Sequence, residues 1–237
     1  MTQRLTQYEL VCSLTTGIKQ GKSIPASLQH AVFFPSTTAE KYPTIIAIHG
    51  RGTNENDLPP LVLSLPLPNV LVVSPRAPFP FPYGGFVWYD LAHEGTPEPN
   101  TFRKSIGMLQ KFVQEVKQGY PVDPKRLLLL GFSQGTVMAY TTALLDPTSF
   151  LGVAALSGYI PHRSGLPLKL TDLNGFPFFI SHGSEDPIIP VRLGRESVEL
   201  LERAGATVTY REYPMGHEVT EETMRDLSDW SRNVFSQ

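Results

Sequence analysis

Ser133 lies in Gly131-Phe132-Ser133-Gln134-Gly135, between an apolar run, Arg126 to Gly131, and a helix-compatible run, Thr136 to Leu145. A serine on a tight strand-to-helix turn presents its hydroxyl, and flanking glycines remove side chains that would collide with nearby backbone. The start of the next helix offers free N–H groups and a positive dipole end to a developing oxyanion. The same pentapeptide also fits an ordinary strand–turn–helix junction with Ser133 as N-cap. A hydroxyl is a weak nucleophile at neutral pH, so acyl-transfer chemistry requires a general base and an acid that orients it. Both follow Ser133 in the order serine, acid, histidine. His182-Gly-Ser-Glu-Asp186-Pro follows one apolar run, and Met215-Gly-His217-Glu follows the next. Asp186 could instead cap a helix starting after Pro190, and Glu185 is its nearest competitor; the adjacent Asp-Pro favours Asp186. His217 could be a surface-loop histidine, but the other five are placed less well: His30, His49 and His93 precede the serine, His182 precedes a glycine at a strand end, and His162 sits in a loop.

An oxyanion needs two donors. Besides the backbone N–H of Gln134, the N–H of Arg51 is the candidate, in His49-Gly50-Arg51-Gly52, where glycines let backbone approach a ligand. No G-x-x-x-x-G-K-[ST] or G-x-G-x-x-G occurs there, which argues against a phosphate cradle. From Pro75 to about residue 95 the chain fits neither helix nor strand period. Phe79, Phe81, Phe86, Trp88 and Tyr89 are interleaved with Pro78, Pro80 and Pro82, and alternate prolines block a helix and a central strand. These five aromatics are expected to bind substrate, with packing under a long loop as the alternative. Arg76 could bind a carboxylate or form a structural ion pair.

The elements needed to position these groups are strands alternating with helices. Expected strands are Thr44 to His49, Asn69 to Ser74, Arg126 to Gly131, Gly152 to Ser157, Pro177 to His182 and Thr207 to Tyr213. The first five are nearly continuous in apolar residues, as strands buried on both faces of a parallel sheet are. The last alternates more, as an edge strand would. Phe102, Ile106, Leu109, Val113 and Val116 mark a helix ending near Gly119; others are expected over Val191 to Ala204 and Glu221 to Phe235, the last capped by Thr220. Tyr8 to Val11 and Ala31 to Phe34 read as an antiparallel pair leading into the sheet. All three candidate catalytic residues then follow strand ends on one sheet edge, where ligands bind in open parallel sheets.

Composition narrows the function further. The 237 residues suit one α/β domain, residues 1–237, and 20 Lys plus Arg against 22 Asp plus Glu leave a net charge of -2, with no electrostatic footprint for nucleic acid. Cys12 is the only cysteine, so there is no internal disulfide framework and no CxxC motif; it is expected in a strand. No apolar run approaches the length of a membrane span, and the start lacks an apolar leader region, so a cytoplasmic chain is expected.

The blocks His49-Gly-Arg-Gly, Gly131-Phe-Ser-Gln-Gly, His182-Gly-Ser-Glu-Asp-Pro and Gly216-His217, with Pro75-Arg-Ala-Pro78 and Trp88-Tyr89-Asp90, resemble the phospholipase/carboxylesterase branch of the α/β-hydrolase fold, which includes acyl-protein thioesterases. The resemblance covers nearly the whole chain. It implies a mostly parallel central sheet with helices on both faces, a Ser133–Asp186–His217 triad, an oxyanion hole from the Arg51 and Gln134 backbone, and no metal or organic cofactor. The expected partner is a small-molecule ester, hydrolysed by a monomer or homodimer. Long acyl chains, as a thioesterase or lysophospholipase would take, are the alternative, as is a binder that retains the pocket without turnover. The chain departs from the family pattern in two places: Thr53-Asn54, before Glu55, stands where an acidic residue is usual, and Thr136 where a smaller one is. A dienelactone-hydrolase-like reading would place cysteine at the elbow, where this chain has Ser133.

Overall fold

The computed structural model describes residues 18–93 and 96–236. In chain order the elements are β1 (Lys19–Gln20), β2 (His30–Phe34), β3 (Tyr42–Ile48), α1 (Pro59–Leu63), β4 (Leu71–Pro75), β5 (Phe79–Pro80), β6 (Phe86–Val87), β7 (Leu91–His93), β8 (Thr96–Pro97), α2 (Pro99–Gly119), β9 (Val122–Phe132), α3 (Gln134–Leu145), β10 (Gly152–Leu156), β11 (Pro177–Gly183), α4 (Val191–Arg203), β12 (Thr207–Tyr213) and α5 (Glu221–Phe235). Eight strands form one sheet in the order β1-β2-β4-β3-β9-β10-β11-β12. From β4 to β12 every pairing is parallel; β1–β2 and β2–β4 are antiparallel.

The run Leu127 to Leu130 is fully buried because alternate side chains enter different cores. Leu127 and Leu129 join Ile46, Ile48, Val153 and Phe178 under α2 and α3. Leu128 and Leu130 join Ile45, Ala47, Ala154 and Phe179 against α5, through Leu227, Trp230 and Val234. Burying each such side chain contributes about 1.5–3 kcal/mol. Helix α3 is buried along nearly its whole length, so its position behind Ser133 is fixed by packing on all sides.

Among the described residues the expected strands and helices are present, with one extension and one difference. Strand β12 occupies the sheet edge, and Thr220 caps α5 through its hydroxyl to Thr223 N. Helix α2 begins three residues before Phe102, because Glu98 accepts from Asn100 N and Thr101 N and Pro99 fills the first turn. Tyr8 to Val11 and Cys12 lie outside the described residues; among the described residues β2 pairs antiparallel with Lys19–Gln20 and with β4. The aromatic segment contains a hairpin, β5–β6, closed by Gly84 and Gly85 at φ 104° and 71°. That left-handed pair lets Phe81 N reach Gly85 O, so the prolines need donate nothing.

Candidate active site

Ser133 follows β9 directly, and its backbone is held at φ 55°, ψ -120°, a left-handed conformation that costs a non-glycine residue of the order of 1–3 kcal/mol. The surroundings enforce it. A Cβ on Gly131 would lie 2.6 Å from Thr136 Cα, and one on Gly135 would collide with the Ile48 carbonyl and lie 2.6 Å from His49 O. Thr136 is accommodated by Gly158, where a Cβ would strike the threonine side chain, and Thr136 Oγ1 donates to Leu156 O at 2.6 Å.

The three residues read from the sequence meet. Ser133 Oγ is 2.8 Å from His217 Nε2, and His217 Nδ1 is 2.7 Å from Asp186 Oδ2. The carboxylate accepts, so Nδ1 carries the proton and Nε2 presents a lone pair to the serine hydroxyl. Asp186 Oδ1 accepts from Ile188 N and Ile189 N at 2.8 and 2.9 Å. Burial alone would raise the Asp186 carboxyl, but the His217 bond and these two amides hold it below the ordinary aspartate value. Glu185 is exposed, and none of its side-chain atoms joins this chain of bonds. The loops carrying Asp186 and His217 lie side by side because Gly183 has no side chain: a Cβ there would collide with the Met215 carbonyl. Ser184 N and Glu185 N donate to Tyr213 O and Met215 O across the same contact.

Behind Asp186 sits His182, fully buried, its Nε2 2.8 Å from Ile189 O and 3.6 Å from Asp186 Oδ2. It closes the 186–189 turn on itself, and burial pulls its imidazole below the ordinary histidine value.

The loop that carries Arg51 lies against the serine; a Cβ on Gly50 would stand 3.4 Å from Ser133 Cβ. His49 organises this loop from full burial. Its Nε2 accepts from Ala77 N at 3.0 Å, which fixes the proton on Nδ1, where Gly50 O accepts at 2.7 Å. Burial pulls the imidazole down to about 4, so it is neutral at physiological pH. The Gln134 side chain bonds two neighbouring backbone groups, accepting from Trp88 N at 2.9 Å and donating to Tyr89 O at 2.7 Å. The Trp88 indole N–H donates to His49 O at 2.9 Å. Nucleophile turn, His49 loop and aromatic segment are thus one hydrogen-bonded unit.

The aromatics separate into two groups. Trp88 and Tyr89, expected at the substrate, are 0% and 1% exposed and belong to the core under α2; their surface is taken by protein, which corrects that expectation. Phe79, Phe81 and Phe86 are half-buried, with Lys104, Arg51 and Arg76 respectively over their rings at 5.4, 4.6 and 4.6 Å. Arg76 is the structural ion pair: its Nε donates to Glu55 Oε2 at 2.6 Å. Sequence reasoning missed the bracing roles of His49, His182 and the Gln134 side chain, and offered an ion pair for Arg76 without naming Glu55 as its partner. A histidine–glycine step at two strand ends was the available signal for the two histidines; Glu55, 21 residues from Arg76, left none.

A mostly parallel sheet with helices on both faces, and a serine on a strained turn after a central strand, define an α/β-hydrolase. A family model described as phospholipase/carboxylesterase matches residues 30–234, and the chain belongs to that family. It is similar to acyl-protein thioesterase 1 of Candida albicans, at 26% identity over 87% of this chain and 98% of that protein. It is also similar to a probable carboxylesterase, SOBER1-like, of Arabidopsis thaliana, at 28% identity over 78% and 76% of the two chains. Among solved structures, the carboxylesterase of Bacillus cereus shares the fold with a TM-score of 0.77, at 24% identity over 88% and 95% of the chains. Among the described residues no helix is long and apolar enough to cross a membrane.

Proposed function

We propose that the protein is a serine esterase that transfers an acyl group to water through Ser133. The observation that carries this is the chain of two short hydrogen bonds from Ser133 Oγ through His217 to buried Asp186. Ser133 Oγ attacks the ester carbonyl carbon while His217 Nε2 takes its proton, and Asp186 stabilises the imidazolium that forms. The carbonyl oxygen, now anionic, is received by the N–H groups of Arg51 and Gln134; losing one such donor costs roughly 3 kcal/mol of the barrier. His217 then gives its proton to the leaving alcohol, and a water activated by the same imidazole hydrolyses the acyl-enzyme.

The substrates proposed are small or medium carboxylic esters. A second reading, long acyl chains on a thioester or lysophospholipid, draws support from the thioesterase names of relatives and from the exposed Tyr83, Leu91 and Ile188, which sit on segments leaving the sheet edge that carries the triad. Initial rates on 4-nitrophenyl esters from acetyl to palmitoyl, with Ser133→Ala as the blank, test both. A short-chain maximum abolished in Ser133→Ala supports the esterase; a long-chain maximum moves the assignment to lipid or acyl-protein substrates. Rates in the wild type no higher than in the variant would refute the nucleophile.

A further inference from the structure

The Arg51 N–H can serve an oxyanion only if the peptide that carries it is held in one orientation. That peptide joins Gly50 to Arg51 and is trans, and its other polar end is Gly50 O. In a trans peptide the N–H points away from the C=O, so whatever grips Gly50 O also aims the Arg51 N–H. Gly50 O accepts from two groups, His49 Nδ1 at 2.7 Å and Thr53 Oγ1 at 3.1 Å. The two donors stand 3.0 Å apart, so one compact cluster clamps the carbonyl. The Asp57 carboxyl also meets the Thr53 hydroxyl, which offsets part of the rise that burial gives it.

Thr53 is itself anchored from the opposite side. It pairs antiparallel with Phe86: Phe86 N donates to Thr53 O and Gly52 N donates to Phe86 O, both at 2.8 Å. The approach is so close that a Cβ on Gly85 would collide with the Gly52 carbonyl and lie 2.9 Å from Thr53 N. Gly84 is left-handed like Gly85, but a Cβ there would meet nothing within 4 Å. Thr53 thus joins the β5–β6 hairpin, with its exposed Tyr83, to the peptide that lies against Ser133.

We propose that Thr53 is a positioning residue for the oxyanion hole: its hydroxyl, braced through Phe86, aims the Arg51 N–H at the carbonyl oxygen of the ester that Ser133 attacks. The proposal rests on the esterase reading, which makes that N–H a donor. Two substitutions separate hydrogen bonding from packing: Thr53→Val keeps the shape without the hydroxyl, and Thr53→Ser keeps the hydroxyl. On 4-nitrophenyl butyrate Thr53→Val lowers kcat about tenfold to a hundredfold and changes KM by less than about twofold, because the donor acts in the transition state. Thr53→Ser restores most of the rate.

A trifluoromethyl ketone reads the hole directly. Ser133 Oγ adds to its carbonyl carbon, the serine proton passes to His217, and the former carbonyl oxygen becomes an oxyanion, as in the transition state. Its Ki should rise in Thr53→Val by the factor by which kcat/KM falls, which lost packing alone does not produce. Gly85→Ala pushes on the same peptide from the hairpin and should act like Thr53→Val. Gly84→Ala brings similar backbone strain without the contact and should keep the wild-type rate. Wild-type kcat and Ki in Thr53→Val, or a loss that Thr53→Ser shares, overturns the proposal; an equal loss in both glycine variants overturns the bracing through Phe86. Ser133→Ala keeps two failures apart. Activity retained there refutes the nucleophile, whereas an inactive Ser133→Ala beside a fully active Thr53→Val refutes only the positioning role.

Discussion

Acidification should destabilise the fold through His49, in a pH window fixed by the structure. The imidazole is fully buried, its Nε2 already accepts from Ala77 N and its Nδ1 proton is used on Gly50 O. Protonation would point a new N–H at an N–H, and burial disfavours the charge, so the folded pKa is held at about 4 against 6.5. The unfolded chain therefore binds more protons than the native one below pH 6.5, and stability falls as pH drops from there, levelling off below about 4. Each pH unit across this gap is worth about 1.4 kcal/mol, giving about 2 kcal/mol at pH 5 and about 3 kcal/mol when complete. Burial also lowers His30 and His182, which adds loss of the same sign. Asp186 acts with its pKa depressed, so its contribution persists above the ordinary aspartate value and is lost only at more acid pH. Urea unfolding of the wild type and His49→Gln, at pH 8 and pH 5, isolates the effect. The wild type should lose about 2 kcal/mol more than the variant between the two. Equal losses, or an NMR titration placing His49 near its ordinary value, would refute the reasoning.

Three further substitutions probe the site. Asp186→Asn puts an amide where Oδ2 accepts from His217, which turns the imidazole to the wrong tautomer, and kcat on 4-nitrophenyl acetate should fall about 10⁴-fold. Exposed Glu185→Gln should leave kcat unchanged; the reverse pattern would move the acid to Glu185. Gly135→Ala drives a methyl into the Ile48 carbonyl, backbone in the middle of the sheet that cannot give way. It should lose about 3 kcal/mol of stability, read by calorimetry as a Tm about 6–12 °C lower. A Tm within error of the wild type would mean that the turn is far looser than its geometry.

Much of this was legible in the chain because it is local. Unbroken apolar runs of strand length, separated by segments of helical period, specify a sheet buried on both faces whatever the details of packing. A serine between two glycines, followed in order by an aspartate and a histidine after successive strands, specifies groups that a parallel sheet must deliver to one edge. Tertiary structure decided what depends on direction. Glu185 and Asp186 are neighbours in sequence, yet only Asp186 receives the Ile188 and Ile189 amides, because the turn points the adjacent side chain to solvent. Trp88 and Tyr89 have the same composition signal as Phe79 and Phe81, but their backbone is hydrogen-bonded to the Gln134 side chain, which turns both rings into the core. The proton position on His49 and the Glu55–Arg76 pair likewise follow from groups distant in sequence. Periodicity records how often a side chain is buried; which neighbour it meets is set only when the strands are in register.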